Sequence, residues 1–141
     1  MTDIIGRIRR FIGQTRGDDL EVAEVAEVAE VAGVSDMLHR HPVHIIFKHS
    51  PQCGVSSWAS GNVGRYEKLP DAVPVTVVDV LSQRALSRGI EAATRVRHES
   101  PQVLLVCDGV VRWHSSHGGV TTDAMRRASL GACAAPHSPA S

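Results

Sequence analysis

The chain is 141 residues long, 43% hydrophobic and 21% charged, which fits one small domain with a modest core and leaves little room for a second. Fifteen basic side chains balance fifteen acidic ones, so there is no net positive charge of the kind that favours nucleic-acid binding. Three cysteines without a C-x-x-C pair argue against a disulfide framework or a structural zinc site and fit a reducing, cytoplasmic compartment. No metal, nucleotide or nucleic acid has a motif to recommend it.

The opening stretch MTDIIGRIRRFIGQTR has apolar runs too short for a signal peptide or a membrane span, so it is expected to stay on the chain. Ile4, Ile8, Phe11 and Ile12 stand at helical spacing with Arg7, Arg9 and Arg10 between them. Two readings remain open, a loosely ordered extension or a short amphipathic helix. EVAEVAEVAEVAGV, Glu21 to Val34, repeats with a strict period of three. Because three falls short of 3.6, each valine of a helix lies about 60° behind the last and the tract buries no single face. It reads as a low-complexity segment without chemistry. The domain organisation that follows is an extension over residues 1–30, a domain over 31–130 and a flexible tail over 131–141.

Within the domain, VSDMLHRH is predicted as a short helix with Pro42 as its stop signal. VHIIFK, Val43 to Lys48, is a continuous apolar run rich in β-branched residues, the pattern of a strand buried on both faces. After a loop holding Cys53, GVSSWASGNVGRYEKL is predicted as a helix despite Gly61 and Gly64, each of which costs about 1 kcal/mol against alanine. VPVTVVDV, Val73 to Val80, reads as a second buried strand. LSRGIEAATRV reads as a second helix, with Leu86, Ile90, Ala93 and Val96 on one stripe. QVLLVC and VVRWH are separated only by Asp108-Gly109, a strong hairpin signal. TTDAMRRASL closes as a helix capped by Thr121 or Thr122, and ACAAPHSPAS reads as a disordered tail.

The order is β-α-β-α-β-β-α, an α/β arrangement with a parallel crossover first and an antiparallel hairpin last: the order of the thioredoxin-like fold, a four-stranded mixed sheet flanked by helices. Its functional edge is the end of the first strand and the start of the next helix, where unpaired N–H groups and the helix dipole favour an anion. Cys53 stands on that edge. A thiolate there has its pKa lowered and works as a nucleophile, whereas the bland alternative is a buried inert cysteine. Lys48 and His49 add positive charge nearby, and Gly54 lets another chain approach. Ser56 takes the place of the resolving cysteine of C-x-x-C, so CGVS forms a mixed disulfide and closes no local one. Pro101 in HESPQVLLV leads a strand, where both trans and cis isomers are compatible with the sequence. Cys107 ends an apolar run and reads as a buried core thiol, while Cys133 in the tail is either a resolving partner of Cys53 or a cysteine without a role.

FKHSPQCGVS, Phe47 to Ser56, with RHESPQVLLVCDGVVRWHSSHGGVT, Arg97 to Thr121, resembles the monothiol bacilliredoxins, small thioredoxin-like proteins of the bacillithiol redox system. The resemblance spans about residues 31–130 and departs at Gly54, where the family usually has proline, and at the EVA tract. It implies thiol–disulfide exchange in the cytoplasm, with bacillithiol as co-substrate, no resident cofactor, and bacillithiolated client proteins as partners of a monomer. Cys53 would be the nucleophile, and Lys48, His49 and Ser56 would tune its thiolate. Gly54, Ser100, Pro101, Trp113, His114 and His117 would shape the groove, with His98 adding positive charge. For Trp113 a core position competes with stacking on the sugar. CGVS and Gly118-Gly119 also resemble the monothiol glutaredoxins, which implies an iron–sulfur cluster carrier as the alternative. A non-catalytic adaptor of the same fold is the third reading.

Overall fold

The computed structural model describes residues 33–51 and 54–131. The amphipathic stretch at residues 4–12, the EVA tract as far as residue 32, Cys53 itself, and the tail from residue 132 with Cys133 lie outside the described residues.

Residues 33–38 are helical (α1) and bury Val34, Met37 and Leu38 at i, i+3, i+4 spacing. Then follow β1 (Val43–His49), α2 (Gly54–Glu67), β2 (Val75–Asp79), α3 (Arg84–Thr94), β3 (Gln102–Cys107), β4 (Val110–Ser116), a short 3₁₀ turn (His117–Gly119) and α4 (Thr122–Gly131). The order β-α-β-α-β-β-α after α1 is the one the sequence predicts. The sheet runs β2-β1-β3-β4, with β1 parallel to β2 and antiparallel to β3, and β4 antiparallel to β3.

Alternation along β1 divides the core into two layers. Ile45 and Phe47 point toward α2 and α4 and join Ala59, Val63, Tyr66, Val103, Leu105 and Met125. Ile46 points the other way and joins Val34, Leu38, Val78, Ile90, Leu104 and Val106 beneath α1 and α3. The central strand β3 is buried through its length and β1 at all but its two end residues, as continuous apolar runs require.

Asp108 and Gly109 adopt φ of 50° and 80°, the left-handed pair that a tight two-residue hairpin needs. Thr121 is the cap of α4, its hydroxyl accepting from the Ala124 N–H at 3.1 Å. The helix α2 runs unbroken through Gly61 and Gly64.

Three expectations need correction. The run Val73 to Val80 forms an edge strand of five residues rather than a fully buried one: only Val78 is buried and Val77 is 48% exposed. The hairpin takes the other side of β1, so β2 is left with one neighbour. The stripe of α3 uses Leu86, Ser87 and Ile90, while Ala93 is exposed. The helix ends at Thr94 with Arg95 in the left-handed region, which takes Val96 off the helix. Finally, Cys107 is buried as expected but is disulfide-bonded, not a free thiol.

Candidate active site

Three segments far apart in sequence meet at one end of the sheet. His49 ends β1, and α2 begins at Gly54. The register that pairs Lys48 with Gln102 sets Pro101 beside His49, and the Ser100-Pro101 peptide bond is cis. Gln102 also pairs with Ser116, and the His117 N–H donates to the Pro101 carbonyl at 2.9 Å. The blocks around CGVS, HESP and SSHG are thereby neighbours.

Ser56 ties the start of α2 to the end of β1. This serine is fully buried in the first turn of α2, and its Oγ accepts from the Ser50 N–H at 3.2 Å. A hydroxyl that accepts keeps its own proton to donate. His49 is half-buried and stacks on Phe47 at 5.2 Å between ring centroids. At Gly54 an added Cβ would meet nothing within 4 Å.

Ser100 is half-buried, but its Oγ is inaccessible and has no hydrogen-bond partner. Beside it Glu99 receives a hydrogen bond from the Ser116 hydroxyl and lies 3.9 Å from His117 Nε2. The Ser116 hydroxyl, aided by His117, holds the Glu99 carboxyl below the usual carboxylate range. Glu99 ties the proline loop to the end of β4, a role that the sequence left unassigned. The signal was the pairing of HES with SSH across the hairpin.

Lys48 is not where its sequence position suggests. It alternates with Ile46 onto the α3 side of the sheet, opposite α2, and is completely buried. Its ammonium donates to His98 Nδ1 at 3.1 Å, and Ser87 Oγ lies 3.3 Å from the same nitrogen. The His98 N–H is held in turn by the Glu91 carboxylate. Burial pushes the Lys48 ammonium below the usual lysine range against the pull of Glu91. Burial, and then the Lys48 charge, likewise push His98 below the ordinary histidine value. A neutral His98 with its proton on Nε2 is the form that accepts at Nδ1. His98 is thus engaged beneath the sheet rather than in a ligand groove. His44, on the same face, is held low by burial, with Nε2 3.1 Å from the Leu38 carbonyl oxygen.

Trp113 and His114 also stand apart from the converging loops. Trp113 pairs with Leu105, three positions along β3 from Gln102, and packs against the α2-side core. His114 is exposed on the other face and lines an open groove with Thr94 and Val96, between the end of α3 and β4. His117 is exposed beside Pro101. The sequence reading missed Val55 and Trp58, 47% and 48% exposed at the start of α2. They stand three residues apart in the first turns of α2; Val55 falls on the same stripe as Ala59, Val63 and Tyr66, so helical periodicity gave no sign that it is exposed.

The sheet order, the helix start after β1 and the cis proline beside it define a thioredoxin-fold thiol oxidoreductase. Solved structures agree on the fold. One is a thioredoxin-fold protein assigned provisionally as an oxidoreductase, with TM-score 0.61 and 26% identity over 66% of this chain and 82% of that one. Mitochondrial thioredoxin 3 of Saccharomyces cerevisiae, in its oxidized form, has TM-score 0.55 and 12% identity over 71% and 88% of the two chains. A point mutant of a thioredoxin from Halobacterium salinarum has TM-score 0.54 and 21% identity over 75% and 86%. The family described as monothiol bacilliredoxin BrxC matches residues 23–125, and the chain belongs to that family.

Proposed function

We propose that this protein removes bacillithiol from mixed disulfides on client proteins, with Cys53 as the nucleophile. The Cys53 thiolate attacks the bacillithiol sulfur of the mixed disulfide. A new S–S bond forms to bacillithiol as the old one breaks, and the client cysteine leaves as a thiolate that takes up a proton. A second bacillithiol then attacks the adduct, leaves as bacillithiol disulfide and restores Cys53. Ser56 is suited to steady the thiolate, because its oxygen is already occupied by Ser50 while its O–H is available. Val55 and Trp58, exposed at the start of α2, offer the client an apolar surface.

The observation that carries the reading is the meeting of the end of β1, the start of α2, the Ser100-Pro101 bond and His117 at one end of the sheet. These are the segments on which the family resemblance rests. A client protein carrying bacillithiol on a single cysteine, mixed with the reduced protein, should regain its free thiol as the bacillithiol adduct moves to this chain. Cys53→Ser should leave the client modified. Release of the client thiol by the Cys53→Ser variant at the wild-type rate would overturn the proposal.

A further inference from the structure

We infer that His98 is a positioning residue: in its neutral form it latches the proline loop beneath the sheet, and a proton on its Nδ1 unseats the Ser100-Pro101 segment. Residues 95–101, between α3 and β3, belong to no helix or strand, and side chains fix their course. The Glu91 carboxylate takes the His98 N–H, Gln102 Nε2 donates to the Arg97 carbonyl at 2.9 Å, and the Ser116 hydroxyl donates to Glu99. The His98 ring adds the contact that reaches across to β1, through Lys48.

That contact exists in one charge state only. His98 Nδ1 accepts from the Lys48 ammonium at 3.1 Å, and Ser87 Oγ lies 3.3 Å from the same atom. A proton on Nδ1 abolishes the acceptor and sets a second cation against a fully buried ammonium. Ser87 can turn to accept from the protonated ring, but it offers Lys48 nothing in exchange. Lys48 cannot withdraw, because its strand pairs with Val78 on one side and Gln102 on the other. His98 is only half-buried and lies on a loop, so it is the partner that gives way.

The charged groups that act on the ring are Lys48 from β1, Glu91 from α3 and Glu99 from its own loop. At this level β3 contributes the uncharged Gln102, and on β4 His114 stands two positions further along, opposite Leu104. Burial and the Lys48 charge outweigh the pull of Glu91 and Glu99, so the ring stays neutral below the ordinary histidine value. His98 stands two residues before Ser100, and the Pro101 carbonyl accepts from the His117 N–H at 2.9 Å. Release of the ring therefore acts on the segment beside the end of β1. Only the effect on clients rests on the proposed function; the latch is a property of the loop itself.

The test follows the His98 ring and the His117 amide of the full chain by NMR from about pH 8 to 5, with exchange rates corrected for their intrinsic pH dependence. Protection of the His117 N–H reports its bond to Pro101. Below the His98 midpoint it should fall by up to about tenfold per pH unit, the limit for release by one proton. KM for a bacillithiolated client should rise in parallel, because only the latched fraction is competent. His98→Gln takes up no proton and keeps a carbonyl that can accept from Lys48, so its protection and KM should stay level. Lys48→Met removes the repelling charge and should move the midpoint to higher pH. Protection that stays level while the ring titrates would overturn the inference, as would the same loss in His98→Gln, or a ring that takes up no proton while the chain is folded. Loss of protection with an unchanged KM would uphold the latch and count against the proposed client site.

Discussion

The two faces of the sheet are built on different principles. Under α2 and α4 Phe47, Tyr66, Leu105 and Met125 fill the layer, and its buried polar residues, Ser56 and Asn62, are both hydrogen-bonded. Under α1 and α3 the apolar residues share the space with buried His44, Lys48, Ser87 and Gln102. Of these, His44 Nδ1 and Gln102 Oε1 have no hydrogen-bond partner. Buried polar groups cost stability unless they are satisfied, so the second face does not exist for stability alone. Lys48 and Gln102 end their strands at the His49 and Pro101 edge, and His98 belongs to the loop that leads into Pro101. The apolar face holds the fold, and the polar face anchors the proline loop.

Variants that break this contrast should have graded effects. Phe47→Ala, on the apolar face, should cost about 3–5 kcal/mol in denaturant unfolding, the range for emptying a buried aromatic site. His98→Ala should cost roughly 1–3 kcal/mol, because the buried Lys48 ammonium loses its acceptor. Lys48→Met in the same assay should be neutral or stabilising, because the charge and its desolvation cost go together. A loss with Lys48→Met as large as with Phe47→Ala would erase the distinction between the faces.

The polar face should also respond to acid. His44 and His98 are both held below the ordinary histidine value, so on acidification the unfolded chain takes up protons before the folded one does. Their contribution is complete above about pH 6.5 and is lost as the pH falls below it toward their folded values. Melting temperatures should therefore decline between about pH 6.5 and 5, and less steeply in His98→Gln. Identical slopes for the variant and the wild type would remove His98 from this account.

The smallest effects belong to the loop end. Ser56→Ala leaves the Ser50 N–H without its partner and should cost about 1 kcal/mol while slowing exchange at Cys53. Gly54→Pro places a proline at the first position of α2, where an added Cβ meets nothing within 4 Å, and should stabilise by about 0.4–1 kcal/mol. A large destabilisation by Gly54→Pro would mean that the helix start needs the freedom of glycine.

Much of this was legible in the sequence, for reasons that differ by residue. The continuous β-branched runs marked β1 and β3, Asp108-Gly109 gave the hairpin, and Thr121 gave a cap. What failed was the part that depends on neighbours. An apolar run such as VPVTVVDV reads the same at an edge as in the centre, and only strand order decides. Lys48 closing an apolar run reads as a charge near the loop, because the partner that lets it stay buried, His98, is fifty residues away. The bonded state of Cys107 was hidden for the same reason, since burial alone gives no indication of pairing.

The most direct measurement is intact mass after the reduced protein, as wild type and as Cys53→Ala, is mixed with bacillithiol disulfide. The account predicts one bacillithiol adduct on the wild type and none on Cys53→Ala. An adduct on both, or on neither while Cys53 remains free to alkylate, would contradict it.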